Sequence, residues 1–241
     1  MTNKYLYKVI ANEPINNNVY KLTISGDTSK IKYAGQFCDI KIDRLFLRRP
    51  ISIYDYTKDT ITMVYKVVGE GTDILSKVGI GETLDVLVGL GNGFDINKCG
   101  SEIEIVGGGI GVPPLYYLAK QLISIGKKPK ILLGFNTKDD VILVEDFEKL
   151  GLETQVYTVD GSFGKKGFVT NGQSKNAYVF TCGPLPMLQA VYNNCSKGQF
   201  SFEARMGCGF GACMGCTTNT KNGPKRICKD GPILYWEEII W

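Results

Sequence analysis

The sequence predicts a β + α/β architecture: an N-terminal antiparallel β-barrel, a nucleotide-binding type of parallel α/β domain, and a small C-terminal segment. Three observations predict it. Short alternating polar and apolar runs crowd residues 1–97, strand–helix alternation takes over across 98–200, and residues 201–241 concentrate cysteine and glycine. A chain of 241 residues is long enough for two cored domains and an appendage of this kind.

In the first part, "KYLYKVIAN", "NVYKLTIS", "QFCDIKID", "DTITMVYKVV" and "TLDVLVG" each alternate with the period of a half-buried strand. Asn, Gly and Asp punctuate them, and many short strands at close spacing favour a closed antiparallel barrel. After "GLGNGFDINKCGS" come a strand "EIEIVGG", a helix "PLYYLAKQLISIG", a strand "KPKILLGF" and a helical "VEDFEKLG". Strands "TQVYTV" and "AYVFTC" and a helix "PLPMLQAVYNN" follow, so this part reads as a parallel sheet with right-handed crossovers.

Composition limits the chemistry. Hydrophobic residues make up 44% and charged residues 22%, ordinary for a soluble globular chain. The net charge of +4 is spread over scattered lysines, so no nucleic-acid partner is expected. No apolar run is long enough to cross a bilayer, and "MTNKYLYKVIAN" reads as a strand rather than a signal peptide. A cytoplasmic location without membrane attachment is therefore expected, and a disulfide framework is not. There are no histidines, which removes His-based triads, His-ligated zinc and the Rieske type of iron–sulfur centre.

Four cysteines follow the spacing Cys208-x4-Cys213-x2-Cys216-x11-Cys228. Structural zinc usually uses two CxxC knuckles, and this segment has one. The x4-then-x2 start matches the plant-type pattern for a 2Fe–2S cluster, with glycines at 207, 209, 211 and 215 to expose backbone N–H groups to sulfur. The last cysteine lies much closer than in plant ferredoxins, so the cluster is expected in a short excursion attached to the larger body. Cys38, Cys99 and Cys195 read as small buried hydrophobes.

Two glycine-rich turns fall at strand ends of the α/β part. "VGGGIGVPP", with Gly108, Gly109 and Gly111, lies between a strand and a helix, where N–H groups and the helix dipole can hold a pyrophosphate. "TCGPLPML", with Cys182 and Gly183, is its companion. In the barrel part, "RRPISIY" and "YKVVGEGT" offer an arginine and a glycine-rich helix start for a second diphosphate. A nicotinamide gives two electrons as hydride, whereas an iron–sulfur cluster takes one at a time. A chain handling both needs a flavin between them.

The order RRPIS, YKVVGEGT, GGGIGVPP, CGPLPML resembles the ferredoxin–NADP reductase superfamily. With EARMGCGFGACMGC and CKDGP, the whole chain is similar to the electron-transfer subunits of bacterial class 1B dihydroorotate dehydrogenases. The resemblance implies FAD against Arg49, Pro50, Ile51 and Ser52, a flavin wall of Tyr65, Lys66 and Val67, and a pyrophosphate contact at Gly71 and Thr72. It implies NAD at Gly108, Gly109 and Gly111, with Cys182 and Gly183 near the reactive end, and a 2Fe–2S cluster on Cys208, Cys213, Cys216 and Cys228. It also implies an FMN-containing dihydroorotate dehydrogenase catalytic subunit as partner, in a heterotetramer of two of each, passing electrons to NAD in pyrimidine biosynthesis.

Two other readings stand beside it. One is the flavin/2Fe–2S subunit of an NADH-dependent ferredoxin:NADP oxidoreductase or sulfhydrogenase; four cysteines without a substituting carboxylate favour the first reading over it. The other is a zinc-stabilised, non-enzymatic nucleotide-binding regulatory module. In "GFNTKDD" and "VDGSFGKK" the carboxylates, with Asp160 and Ser162 as ribose contacts, lean towards NAD over NADP. The apolar tail "GPILYWEEIIW" is expected to pack on the protein's own core, the sharper alternative being a partner contact around Ile233–Trp236.

Overall fold

The computed structural model describes residues 4–241. Its first unit is a barrel of β1 (Lys4–Pro14), β2 (Val19–Ser25), β3 (Phe37–Ile40), β4 (Arg49–Tyr56), β5 (Thr60–Lys66) and β6 (Thr83–Leu90). The strands close in the order β1-β2-β5-β4-β3-β6, all antiparallel. Closure follows from the two-residue period: Tyr7, Val9, Leu22, Ile24, Ile61, Met63 and Val86 point inward and are fully buried. A short helix α1 (Glu70–Ser76) follows β5 and buries Leu75 in the same core.

The second unit is a sheet ordered β10-β9-β8-β7-β11-β12-β15. Its parallel strands are β7 (Ile103–Gly108), β8 (Lys130–Phe135), β9 (Thr154–Thr158), the two-residue β10 (Lys165–Lys166), β11 (Tyr178–Cys182) and β12 (Gly198–Ser201). Helices α2 (Pro114–Ser124), α3 (Val144–Lys149) and α4 (Leu185–Asn193) connect them. β7 and β11 are buried along their whole length, as central parallel strands covered on both faces must be.

Barrel and sheet are braced against each other. Tyr54 stacks on Tyr116 at 4.6 Å and donates to the Asp146 carboxylate at 2.8 Å, while Lys120 on α2 pairs with Asp55 on β4 at 2.7 Å.

Between β12 and β15 (Ile233–Tyr235) the chain makes the cysteine-bearing excursion, which contains a hairpin of β13 (Thr217–Thr220) and β14 (Gly223–Arg226). It then returns, and β15 adds antiparallel to β12. Ile233 and Leu234 are 2% exposed, and Trp236 stacks on Tyr192 and donates to its carbonyl. The tail therefore packs on its own sheet as expected, and the burial of Ile233 and Leu234 takes those two residues out of the alternative partner contact around Ile233–Trp236. Cys38 and Cys195 are buried as expected, whereas Cys99 is half-buried because it lies in a connecting loop with its thiol on the Ile96 carbonyl. Among the described residues no helix is long and apolar enough to cross a membrane.

Candidate functional site

Two clefts and a cysteine cradle meet along the seam between barrel and sheet. The first cleft, about 360 Å³, brings together Arg49, Pro50, Ile51 and Ser52 from β4, Tyr65 and Lys66 from β5, Thr72 from α1 and Cys182 from the end of β11. β4 and β5 are paired neighbours in the barrel, which is how two motifs apart in sequence come to share one wall.

Gly71 does not line this cleft but shapes it: a Cβ there would lie 2.1 Å from Arg49 Nε. The missing side chain lets the Arg49 guanidinium rest on the start of α1. Nη1 of Arg49 donates to the Leu47 carbonyl at 2.7 Å, so the loop before β4 holds the group in place. The Thr72 hydroxyl receives the Val68 and Gly69 N–H groups and donates to the Gly69 carbonyl, organising that turn. A fixed cation beside a tight turn suits a diphosphate. Val67 is not in the cleft; it is half-buried against the barrel core, and its N–H bonds the Asn18 carbonyl.

The second cleft, about 600 Å³, opens at the carboxyl ends of the parallel strands and is lined by Gly108, Gly109, Asn136, Asp140, Phe168 and Met187, among others. This is the edge where ligands bind in open α/β sheets. Gly111 and Gly183 stand behind it. A Cβ on Gly111 would lie 2.5 Å from the Cys182 carbonyl oxygen and 2.6 Å from Gly183 Cα, so the two glycine-rich turns touch backbone to backbone. Asp160 and Ser162 do not line the cleft. They bond each other, and the Ser162 hydroxyl receives the Lys138 N–H, which shapes the loop beside it.

Lys66 and Ile110 line both clefts, so ligands in the two would meet there. Burial pushes the Cys182 thiol up to about 12, which keeps it neutral rather than a thiolate nucleophile. Burial also raises the Glu203 carboxyl, which faces the first cleft beside Phe202 and Met206. Sequence reasoning passed over Glu203, although it stands directly before the cysteine loop. It also passed over Phe168, from the α/β unit itself, and over Asn16 and Asn18, which join the second cleft from the barrel side.

The cysteines come as two pairs. Cys208 and Cys213 are hydrogen-bonded neighbours, and the Cys208 sulfur also receives the Ala212 N–H at 3.2 Å and the Cys213 N–H at 3.4 Å. Cys216 and Cys228 form the second pair, with the Cys228 N–H 3.3 Å from the Cys216 sulfur. The β13–β14 hairpin returns the chain from Cys216 to Cys228, which accounts for the short x11 spacing. Gly209 and Gly211 take positive φ values of 75° and 90° where the loop wraps inward. Cys213 is exposed and Cys216 and Cys228 are buried. Among the described residues no three His, Cys, Asp or Glu side chains converge on a single ion. Two thiol pairs with N–H groups aimed at sulfur fit a two-iron cluster, which needs two thiolates on each iron.

A closed barrel joined at its seam to a parallel nucleotide-type sheet defines a reductase of the ferredoxin–NADP reductase type, here with an iron–sulfur segment inserted near its carboxyl end. Residues 203–240 match the family described as the iron–sulfur cluster binding domain of dihydroorotate dehydrogenase B. The chain is 43% identical to the dihydroorotate dehydrogenase B (NAD(+)) electron transfer subunit of Bacillus pumilus, covering 96% of each. It is 44% identical to the protein of the same description from Fusobacterium nucleatum, covering 95% of each. The chain belongs to the family of dihydroorotate dehydrogenase B electron transfer subunits. Among solved structures it is similar to that of an NADH-dependent reduced ferredoxin–NADP oxidoreductase, with a TM-score of 0.89 and 30% identity over 100% of this chain and 92% of the other.

Proposed function

We propose that this chain carries electrons between a catalytic dihydroorotate dehydrogenase subunit and NAD, through a 2Fe–2S cluster and FAD, in pyrimidine biosynthesis. The observation that carries the reading is the convergence of both clefts at Lys66 and Ile110, with the cysteine excursion anchored beside the first. A flavin, when bound, supplies the exchange between two-electron hydride chemistry and one-electron transfer.

The protein's own residues do the rest. Arg49 and the Gly71–Thr72 turn hold the FAD diphosphate, while Pro50, Ile51, Ser52, Tyr65 and Lys66 form the wall that orients the flavin. Val67 supports that wall from behind. Gly108 and Gly109 would let the nicotinamide nucleotide approach the backbone, and Gly111, Cys182 and Gly183, which keep the two turns in contact, would stand near its reactive end. Neutral Cys182 closes the cleft against water without offering a competing charge. Cys208, Cys213, Cys216 and Cys228 hold the cluster, with Cys213 on the outside.

The partner on this reading is an FMN-containing catalytic subunit, two of each chain assembling in the cytoplasm, and it docks over the exposed side of the cysteine loop. Domain limits of 1–97, 98–200 and 201–241 go with this reading, the first cleft drawing also on Cys182 and Glu203 and the second on Asn16, Asn18 and Lys66. The reading as a ferredoxin:NADP oxidoreductase subunit draws on the similarity in fold, but identity there is 30% against 43% for the dihydroorotate dehydrogenase relatives. The test is to isolate the native complex, identify its second chain, and assay dihydroorotate-dependent NAD reduction. Equal iron and acid-labile sulfide, one flavin on this chain and orotate formation are expected. A fully loaded complex without that activity, or a large multi-cluster partner, would overturn the orotate assignment.

A further inference from the structure

Arg226 is the last residue of β14, and its partner across the hairpin is Thr217, which follows Cys216 directly. The next residue, Ile227, donates its N–H to the Cys216 carbonyl at 3.1 Å, and Cys228 comes after it. The Arg226 side chain does not point away from this cradle. Nη1 donates at 2.8 Å to the carbonyl of Gly211, the middle of the loop between Cys208 and Cys213. Nε sits 2.9 Å from Asp230 Oδ2 and Nη2 3.3 Å from Oδ1, a forked pair of bonds to one carboxylate. Asp230 in turn receives the Arg226 N–H at 3.0 Å, and its carbonyl receives the Asn92 side chain from the end of the barrel. One guanidinium thus connects the loop carrying the first three cysteines, the turn carrying the fourth, and the barrel.

We propose that Arg226 is a positioning residue for the cluster: it fixes the two cysteine-bearing segments relative to each other and sets the reduction potential through a permanent positive charge in the cradle, opposed by Asp230. The inference rests on the cluster reading above. Reduction adds one electron, and so one negative charge, to the group held by the cysteines. A guanidinium beside it favours the reduced state and a carboxylate disfavours it. Lysine keeps the charge but cannot make the fork to Asp230 together with the bond to Gly211. Geometry and charge can therefore be separated by substitution.

The experiment uses the full chain in its complex, with iron, sulfide and flavin quantified and the cluster followed by electron paramagnetic resonance during a redox titration. Arg226→Met is expected to lower the reduced-to-oxidised ratio at a fixed potential about tenfold, a shift of 59 mV for a one-electron couple. Asp230→Asn is expected to move it in the opposite direction. Arg226→Lys is expected to stay within about threefold of wild type in that ratio while bleaching faster in air, because the bridge is broken. Loaded Arg226→Met and Asp230→Asn proteins with the wild-type midpoint, or with shifts of the same sign, would overturn the proposal. Should Arg226→Met fail to assemble the cluster, Arg226→Lys and Asp230→Asn decide it: a wild-type midpoint in the latter refutes the charge role. A wild-type chain without equal iron and sulfide would instead sink the cluster reading itself.

Discussion

Gly111→Ala is the substitution that interrogates the seam between the two glycine-rich turns. The added methyl would stand 2.5 Å from the Cys182 carbonyl oxygen and 2.6 Å from both the Cys182 carbonyl carbon and Gly183 Cα. Those contacts are about 1 Å inside the roughly 3.5 Å at which non-bonded carbon atoms rest comfortably. All three neighbours are backbone, on the fully buried strand β11 and the turn after it, so no side chain can swing aside. Overpacking of this kind costs about 1–3 kcal/mol. In a chain of this size each kcal/mol lowers Tm by about 2–4 °C. Relief requires the turns of 107–111 and 182–184 to part, which widens the mouth of the second cleft. NADH affinity should therefore fall by about tenfold, the equivalent of 1.4 kcal/mol. The assay is a thermal melt with a fluorescence titration of NADH on the complex, with flavin and iron contents measured alongside. A variant with wild-type Tm and wild-type NADH affinity would refute the packing argument, and one that loses flavin but retains NADH would refute the assignment of the second cleft.

Gly71→Ala makes the contrasting case. Its methyl meets the Arg49 guanidinium, a movable group, so folding should be nearly unchanged while FAD retention on gel filtration drops about tenfold. Cys213→Ser should abolish iron and sulfide loading while leaving flavin content at the wild-type level, read by absorbance and metal analysis. Tyr54→Phe removes the bond to the Asp146 carboxylate and should cost about 1–3 kcal/mol in denaturant unfolding, with the ring stack on Tyr116 retained.

The elements legible in the sequence were those whose burial pattern is local. β1 alternates cleanly over Leu6–Ile10 because one face looks into the barrel, whereas β2 and β5 depart from strict alternation at Val19 and Val64, which are buried against the α/β unit, and β7 and β11 are buried throughout because both faces are covered. β12 and β15 were not legible. Each is a strand of four residues or fewer whose burial depends on the other, and they lie on opposite sides of the cysteine excursion. The β13–β14 hairpin gives no apolar signal either, since "TTNT" and "GPKR" pair through the backbone at the surface. The same distinction holds in the site. Motif residues on strand ends, such as Arg49, Gly108 and Cys182, could be picked out because glycine, proline and arginine mark those turns. The Asn16–Asn18 turn faces the second cleft only because the barrel docks against the sheet, and no spacing along the chain encodes that approach.

β12 and β15 also bear on how such a chain could arise. Ser201 and Ile233 are direct partners across the two strands, and the Phe202 N–H already bonds the Pro232 carbonyl. Adjacent strands lie about 4.8 Å apart, so the whole cysteine excursion leaves and rejoins its host at essentially one point. That is the geometry of a graft. A tight turn from 201 to 233 would leave the sheet continuous, but Cys216, Ile227 and Cys228 share one buried cluster with Phe37, Leu87 and Leu90 of the barrel, so gaining or losing the segment would also remodel that packing. Electron wiring in this architecture is a segment with one entry into its host sheet and a second mooring on the barrel, where Asn92 holds Asp230, and ancestry and redesign would both have to act on the two together.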